Sequence, residues 1–295
     1  MDLATQWLQP LFAAWIDVAL IASAGIVVVR GAMPPSVATR LPALARRIAL
    51  LLGVGLVAYL AAATVAMAEP SLVDFPGALW LVLTKTDFGD MGWVALAAWL
   101  MLMAATCAAC RPPVRKRTFP DLLFITGLAA FAYARAATGH AADHGFLSVA
   151  VLVHTVHIVS ACAWAGSIGI CVLSVSTWRT WTTPQRSKLA HRLSTTATIA
   201  VPAVVASGLI NVIRALGHSS HPGGSSYLDI AIAKISLVAI AVVLGTWNRQ
   251  SWMTRLDDGQ DAGARGFGRV LLVEAIVLVV VIVLAAKLGT TMIPI

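Results

Sequence analysis

The sequence predicts an all-α, polytopic membrane protein, a bundle of eight transmembrane helices with both termini in the periplasm. The chain has 295 residues, is 59% hydrophobic and only 12% charged, and has a mean hydropathy of +0.85. Because soluble domains have about 25% charged residues, this chain has too few charges to cover a water-facing surface. Two further observations support the fold class: long apolar segments, and an alternation of basic with acidic or neutral connections.

Eight apolar segments are long enough to cross a bilayer, since a transmembrane helix needs about 20 apolar residues. The connections between them are short, which predicts a single transmembrane domain over residues 1–295. In chain order, the predicted helices cover residues 9–30, 48–68, 90–110, 120–139, 147–176, 193–216, 227–247 and 268–288. A shorter apolar stretch at 75–84 cannot span and predicts an interfacial helix, with Trp80 at the headgroup level.

The distribution of Lys and Arg sets the predicted orientation. Sixteen of the 21 lie at alternate connections, and the other connections are acidic or neutral. Short basic loops stay in the cytoplasm, which places both termini outside. The net charge of +8 therefore indicates topology and not nucleic-acid binding. The sixteen are Arg30, Arg40, Arg46, Arg47, Arg111, Arg115, Lys116, Arg117, Arg179, Arg186, Lys188, Arg192, Arg249, Arg255, Arg265 and Arg269.

The segments outside the helices predict little further structure. The N-terminus has Asp2 and no basic residue before the first helix, so it lacks the n-region of a signal peptide and we expect this helix to be retained. No cysteine lies in a predicted outer loop, which argues against a disulfide framework. The inner loop 249–267 has Asp257, Asp258 and Gly259, and predicts a solvated linker.

Charged residues inside the apolar segments indicate buried partners or function. Asp17, Lys234 and Glu274 each cost about 2.5–3.5 kcal/mol at the centre of a spanning helix. We expect a structural pair of Lys with Asp or Glu, and a proton relay through Glu274 is the alternative. Arg135 and Arg214 lie near the predicted outer ends, where their side chains can reach the interface.

Six of the seven histidines lie towards the predicted outer side. His140 and His144 are four residues apart at the end of the fourth helix, so a continuing helical turn puts both on one face. His154 and His157 are three residues apart near the start of the fifth helix. The connection 141–147 is short, so the two helices are antiparallel neighbours and the two pairs can converge.

Imidazole is a good ligand for copper, zinc, nickel and iron, so these four histidines predict a metal or haem site; a structural or proton-transfer role is the alternative. His218 and His221, in a Gly/Ser-rich outer loop, are either weak metal ligands or solvated. His157, Trp164 and Cys171 follow at heptad spacing on one helix face, with donors that become softer inwards, as a cuprous ion tolerates. Ordinary packing explains the same stripe. Cys107 and Cys110, one turn apart at an inner end, are a possible exit pair.

Several motifs together resemble the copper resistance D (CopD) family of bacterial inner-membrane proteins. Gly139-His140-Ala141 is followed by His157, Trp164 and Gly166 in the spacing His-x6-Trp-x-Gly. The resemblance covers residues 138–290 well, and the earlier helices match mainly in number. Its other motifs are Leu83-Thr84 and Phe88-Gly89, Ser207-Gly208-Leu209-Ile210-Asn211, Lys234, Asn248-Arg249, Arg269 and Glu274.

The resemblance implies a protein that moves copper across the inner membrane and receives it from a small periplasmic carrier of the CopC kind. The family's histidines fall on His140 and His157, and His144 and His154 join the expected site by proximity. The sequence shows no fused periplasmic copper-binding domain, so we expect the carrier to be a separate protein. The chain also lacks a Gly-x4-Gly-Lys-Ser/Thr motif, so we expect that ATP does not drive transport through it. We expect a permease that uses no nucleotide, and not an enzyme.

We expect copper uptake from periplasm to cytoplasm. Two alternatives remain at this point. One is a haem b electron-transfer protein with His140 and His157 as axial ligands. The other is a copper chaperone that serves oxidase assembly and does not transport.

Overall fold

The computed structural model describes residues 3–109, 118–139, 142, 145–217 and 226–289, and this part of the chain is largely helical and contains no strand. The all-α prediction is confirmed. The helices are α1 (Leu3–Val29), α2 (Pro35–Ala38), α3 (Leu41–Ala68), α4 (Phe75–Lys85), α5 (Asp87–Ala109), α6 (Thr118–Ala136), α7 (Val149–Ser174), α8 (Thr183–Gly217), α9 (Ser226–Trp247), α10 (Thr254–Asp257) and α11 (Asp261–Leu288). A π-helical turn, Asn248–Met253, follows α9.

Seven helices in the described part of the chain are long and apolar enough to cross a membrane, which confirms a polytopic membrane protein. These spans are based on α1, α3, α5, α7, α8, α9 and α11. The predicted fourth helix exists as α6, but it has 19 residues, Asp121 and Arg135 among them, and it is not one of the seven. The count of eight spans and the periplasmic location of both termini stay predictions.

Of the two segments predicted to lie outside the spans, one has the predicted structure and the other does not. The stretch 75–84 is helical, as α4, and Trp80 is exposed. The linker expected at 249–267 is wrong, because the π-helical turn, α10 and the start of α11 occupy it. It is folded because Phe267 is buried and stacks on Trp178, with ring centroids 5.8 Å apart. Gly259, with a φ of 76°, makes the turn between α10 and α11.

The described chain forms two compact units. Unit 1 consists of Met1–Leu20 and Pro42–Val159, and unit 2 of Ile21–Leu41 and Ser160–Ile295. Helices α1 and α7 each contribute residues to both units. That residues 1–295 make a single transmembrane domain stays a prediction.

In unit 1, two indoles fix α3 against its neighbours. The Nε1–H groups of Trp15 on α1 and Trp99 on α5 donate to backbone carbonyls of α3 at 3.0 and 2.8 Å. Gly55 and Gly53 make room for these rings, since a Cβ at either position would lie within 2.6 Å of the indole. Each tryptophan thus provides apolar packing area and satisfies its polar N–H in a region without water.

An ion pair joins α1 to α6 within unit 1. Arg135 Nε lies 3.0 Å from Asp17 Oδ1, and a second guanidinium nitrogen donates to the other carboxylate oxygen at 3.3 Å. The Arg135 guanidinium also lies over the Tyr59 ring, 5.7 Å from its centroid. The expectation that Arg135 extends to the interface is therefore wrong. The guanidinium forms a bidentate interaction with the carboxylate, which it would lose if the side chain extended into solvent.

In unit 2, α1 and α7 approach at a glycine pair. A Cβ at Gly25 would lie 2.1 Å from the Gly166 carbonyl oxygen, and one at Gly166 would lie 2.1 Å from the Ile21 carbonyl oxygen. Only glycine permits this separation, as is usual where membrane helices pack closely. Arg192 of α8 also holds α1, because its Nε donates to the Val28 carbonyl at 2.9 Å.

We predict that Gly166→Ala lowers the free energy of unfolding by roughly 1–3 kcal/mol, since the added methyl group forces the two backbones apart. Gly169→Ala is the matched control, because a Cβ at Gly169 meets nothing within 4 Å on the same helix. Thermal unfolding of the purified protein in detergent measures both. Equal midpoints for the two variants would contradict the close approach.

Candidate functional site

The hairpin between α6 and α7 is tied together where the predicted metal site begins. The Tyr133 hydroxyl of α6 donates to the Phe146 carbonyl at 3.0 Å. Ser148 caps α7 by accepting the Val151 N–H at 3.3 Å. Beneath these bonds lies a buried cluster that includes Met91 and Val151. The ends of α6 and α7 are therefore fixed neighbours, as the short connection predicted.

His154 and His157 lie on one face of α7, as their spacing predicted. Both side chains are half-buried, and their rings stack at an interplanar angle of 9° with centroids 6.1 Å apart. The two imidazoles are therefore close neighbours on one face of α7.

The other predicted ligands, His140 and His144, lie outside the described residues, as do His218 and His221. Within residues 3–109, 118–139, 142, 145–217 and 226–289, no group of three or more His, Cys, Asp or Glu side chains is placed to hold a metal ion. The four-histidine site at His140, His144, His154 and His157 therefore stays a prediction.

The described cysteines form no disulfide with one another and lie in different surroundings. Cys171 is completely buried, Cys162 is buried, and Cys107 is exposed. Trp164, which shares the predicted stripe with Cys171, is also buried. Cys110 lies outside the described residues. A role for Cys171, or for Cys107 with Cys110, in binding copper stays a prediction.

A second polar region lies inside unit 2, around Glu274. The carboxylate is 4% exposed and accepts a hydrogen bond from the Trp164 side chain. It faces α9 at Gly245, where a Cβ would lie 3.2 Å from Glu274 Oε1. Lys234 is half-buried on α9, and a structural pair of a lysine with Asp or Glu stays a prediction.

Glu274 and Trp164 line a cavity of about 330 Å³. Helices α7, α8, α9 and α11 and the π-helical turn form its walls. Asn248 and Arg249 of the π-helical turn line the same cavity, so four residues that carried the family resemblance meet in one place. A π-helical turn often accompanies a functional site. Met253 and Thr198 also line this cavity. The sequence did not predict this, because neither residue belongs to a motif of the family resemblance.

Two family profiles match this chain over most of its length. The profile described as copper resistance protein D-like, N-terminal domain, matches residues 3–149, and the profile of copper resistance protein D matches residues 187–288. The chain belongs to the copper resistance protein D family. The resemblance read from the sequence is confirmed, and the cavity around Glu274 lies largely within the second match.

Two curated relatives are similar to this CopD-family chain. The copper transport protein CutJ of Bacillus subtilis strain 168 is 30% identical over 180 residues, covering 58% of this chain and 32% of CutJ. The inner membrane protein YebZ of Escherichia coli K12 is 27% identical over 220 residues, covering 72% of this chain and 71% of YebZ. The match thus spans about a third of the length of CutJ. No solved structure matches this chain.

The family and the seven spans make this a copper-related, multi-pass protein of the bacterial inner membrane.

We predict that His140→Ala or His157→Ala in the CopD-family chain weakens Cu(I) binding at least about tenfold, because a shell of few ligands loses one. Competition with a chromogenic chelator measures the affinity.

The matched control is His191→Ala. His191 lies in unit 2 on α8 and bonds to Asp257 at 3.1 Å, so its removal leaves copper binding unchanged. Equal losses in all three variants would show that the clustering of outer histidines has no role in binding.

Proposed function

We propose that this protein is a copper permease that moves the ion from the periplasm to the cytoplasm through an outer mouth lined by His140, His144, His154 and His157. The single observation that carries the proposal is membership of the copper resistance protein D family in a chain whose described part has seven helices long and apolar enough to cross a membrane. The relative CutJ, named a copper transport protein, supports it. The His154–His157 pair supports the location of the mouth.

The proposed chemistry of the mouth is ligand exchange on imidazole nitrogens. Neutral imidazole binds copper without adding negative charge. The complex therefore keeps the positive charge of the ion at the mouth. The His154–His157 pair on α7 supplies two neighbouring imidazoles to an arriving ion. A separate periplasmic carrier of the CopC kind delivers the ion, and no nucleotide or enzymatic step is required of this chain.

Uptake of radioactive copper into proteoliposomes containing only the purified chain tests this function. Transport predicts accumulation above that of empty liposomes, abolished in His157→Ala. Binding of copper without accumulation would favour a chaperone for oxidase assembly and contradict the permease. A purified sample with a Soret band would favour the haem b protein instead.

A further inference from the structure

The buried carboxylate of Glu274 has a neutral hydrogen-bond donor beside it. This donor is the Trp164 side chain, which adds no positive charge. The side chain is 4% exposed and lies within a span. Gly245 on the facing helix leaves space beside Oε1 that any larger residue would fill. A buried anion with space beside it is suited to receive a cation.

A second acceptor lines the same cavity. Asn248 is 3% exposed, and its Nδ2 donates to the Phe267 carbonyl at 3.3 Å. Its Oδ1 is buried and accepts no hydrogen bond from any described residue. Buried side-chain acceptors rarely lack a partner. Asn248 and the glycine that faces Glu274 are three residues apart on the chain, about 4.5 Å along a helix axis.

The cavity also contains a soft donor, the thioether of half-buried Met253. The one cationic side chain among its lining residues is Arg249, whose Nη1 donates to Thr198 Oγ1 at 3.1 Å. The Glu274 carboxylate would repel an anion in this cavity. A metal cation, in contrast, can accept all three donors of this cavity: the Glu274 carboxylate, the Asn248 amide oxygen and the Met253 thioether.

We propose that this cavity is a second copper site, at which Glu274, Asn248 and Met253 hold the ion in transit. The inference rests on the proposed transport function. Thioethers favour Cu(I), whereas oxygen ligands favour harder ions, so the mixed set binds copper weakly. Weak binding is what a transit site requires, because an ion that is held too tightly does not leave. Glu274 supplies the negative charge and Asn248 and Met253 supply neutral donors.

The test measures Cu(I) binding stoichiometry and copper uptake for the full-length protein. Glu274→Gln keeps the size of the side chain and an oxygen for Trp164, but removes the charge. We expect it to bind one Cu(I) fewer than the wild type and to take up copper about tenfold more slowly or worse. Asp229→Asn is the control, since this exposed carboxylate lies in the first turn of α9, outside the cavity. It behaves as the wild type.

Wild-type stoichiometry in Glu274→Gln would overturn the second site. If that variant does not fold, Met253→Leu replaces it, because leucine preserves volume and removes the sulfur; unchanged Cu(I) affinity there would also overturn the proposal. Uptake by wild type, lost in His157→Ala and intact in Glu274→Gln, would reject the second site and keep the permease. No uptake by wild type would reject the permease, and the binding measurement would still decide the second site.

Discussion

The lipid interior does not solvate polar groups, and this constraint determines how the spans of this chain associate. Every charge or N–H placed there needs a partner within the protein. Asp17 and Arg135 meet this need as an ion pair between α1 and α6. The indoles of Trp15 and Trp99 meet it through backbone carbonyls of α3. These polar side chains therefore fix contacts between helices.

The same constraint separates structural polar groups from candidate functional ones. Asp17 and Arg135 satisfy each other with two bonds and leave no charge for a ligand. Glu274 receives only a neutral donor, and Asn248 Oδ1 receives none from the described residues. His154 and His157 stack on each other in unit 1, and imidazole is a donor that copper accepts. These two histidines, Glu274 and Asn248 are the groups that we propose act on the ion.

Local features of the sequence were sufficient to predict the helices. Length and hydropathy located all the long helices, and the short apolar stretch at 75–84 is present as α4. The family could also be predicted from the sequence, because its motifs are contiguous or closely spaced. Contacts between residues distant in sequence could not be predicted. Asp17 and Arg135 are 118 residues apart, and nothing in either segment indicates the other. The segment 249–267 looked like a linker because burial of Phe267 depends on Trp178, far upstream. The cavity around Glu274 needs four helices at once, which no local pattern encodes.

The proposed function depends most on copper being bound by imidazole at the outer mouth. X-ray absorption at the copper edge, on the purified protein loaded with one equivalent of Cu(I), tests this binding most directly. Imidazole ligands predict the scattering pattern of imidazole rings around the ion, and its weakening in His157→Ala. A shell of sulfur or oxygen alone, identical in wild type and variant, would contradict it.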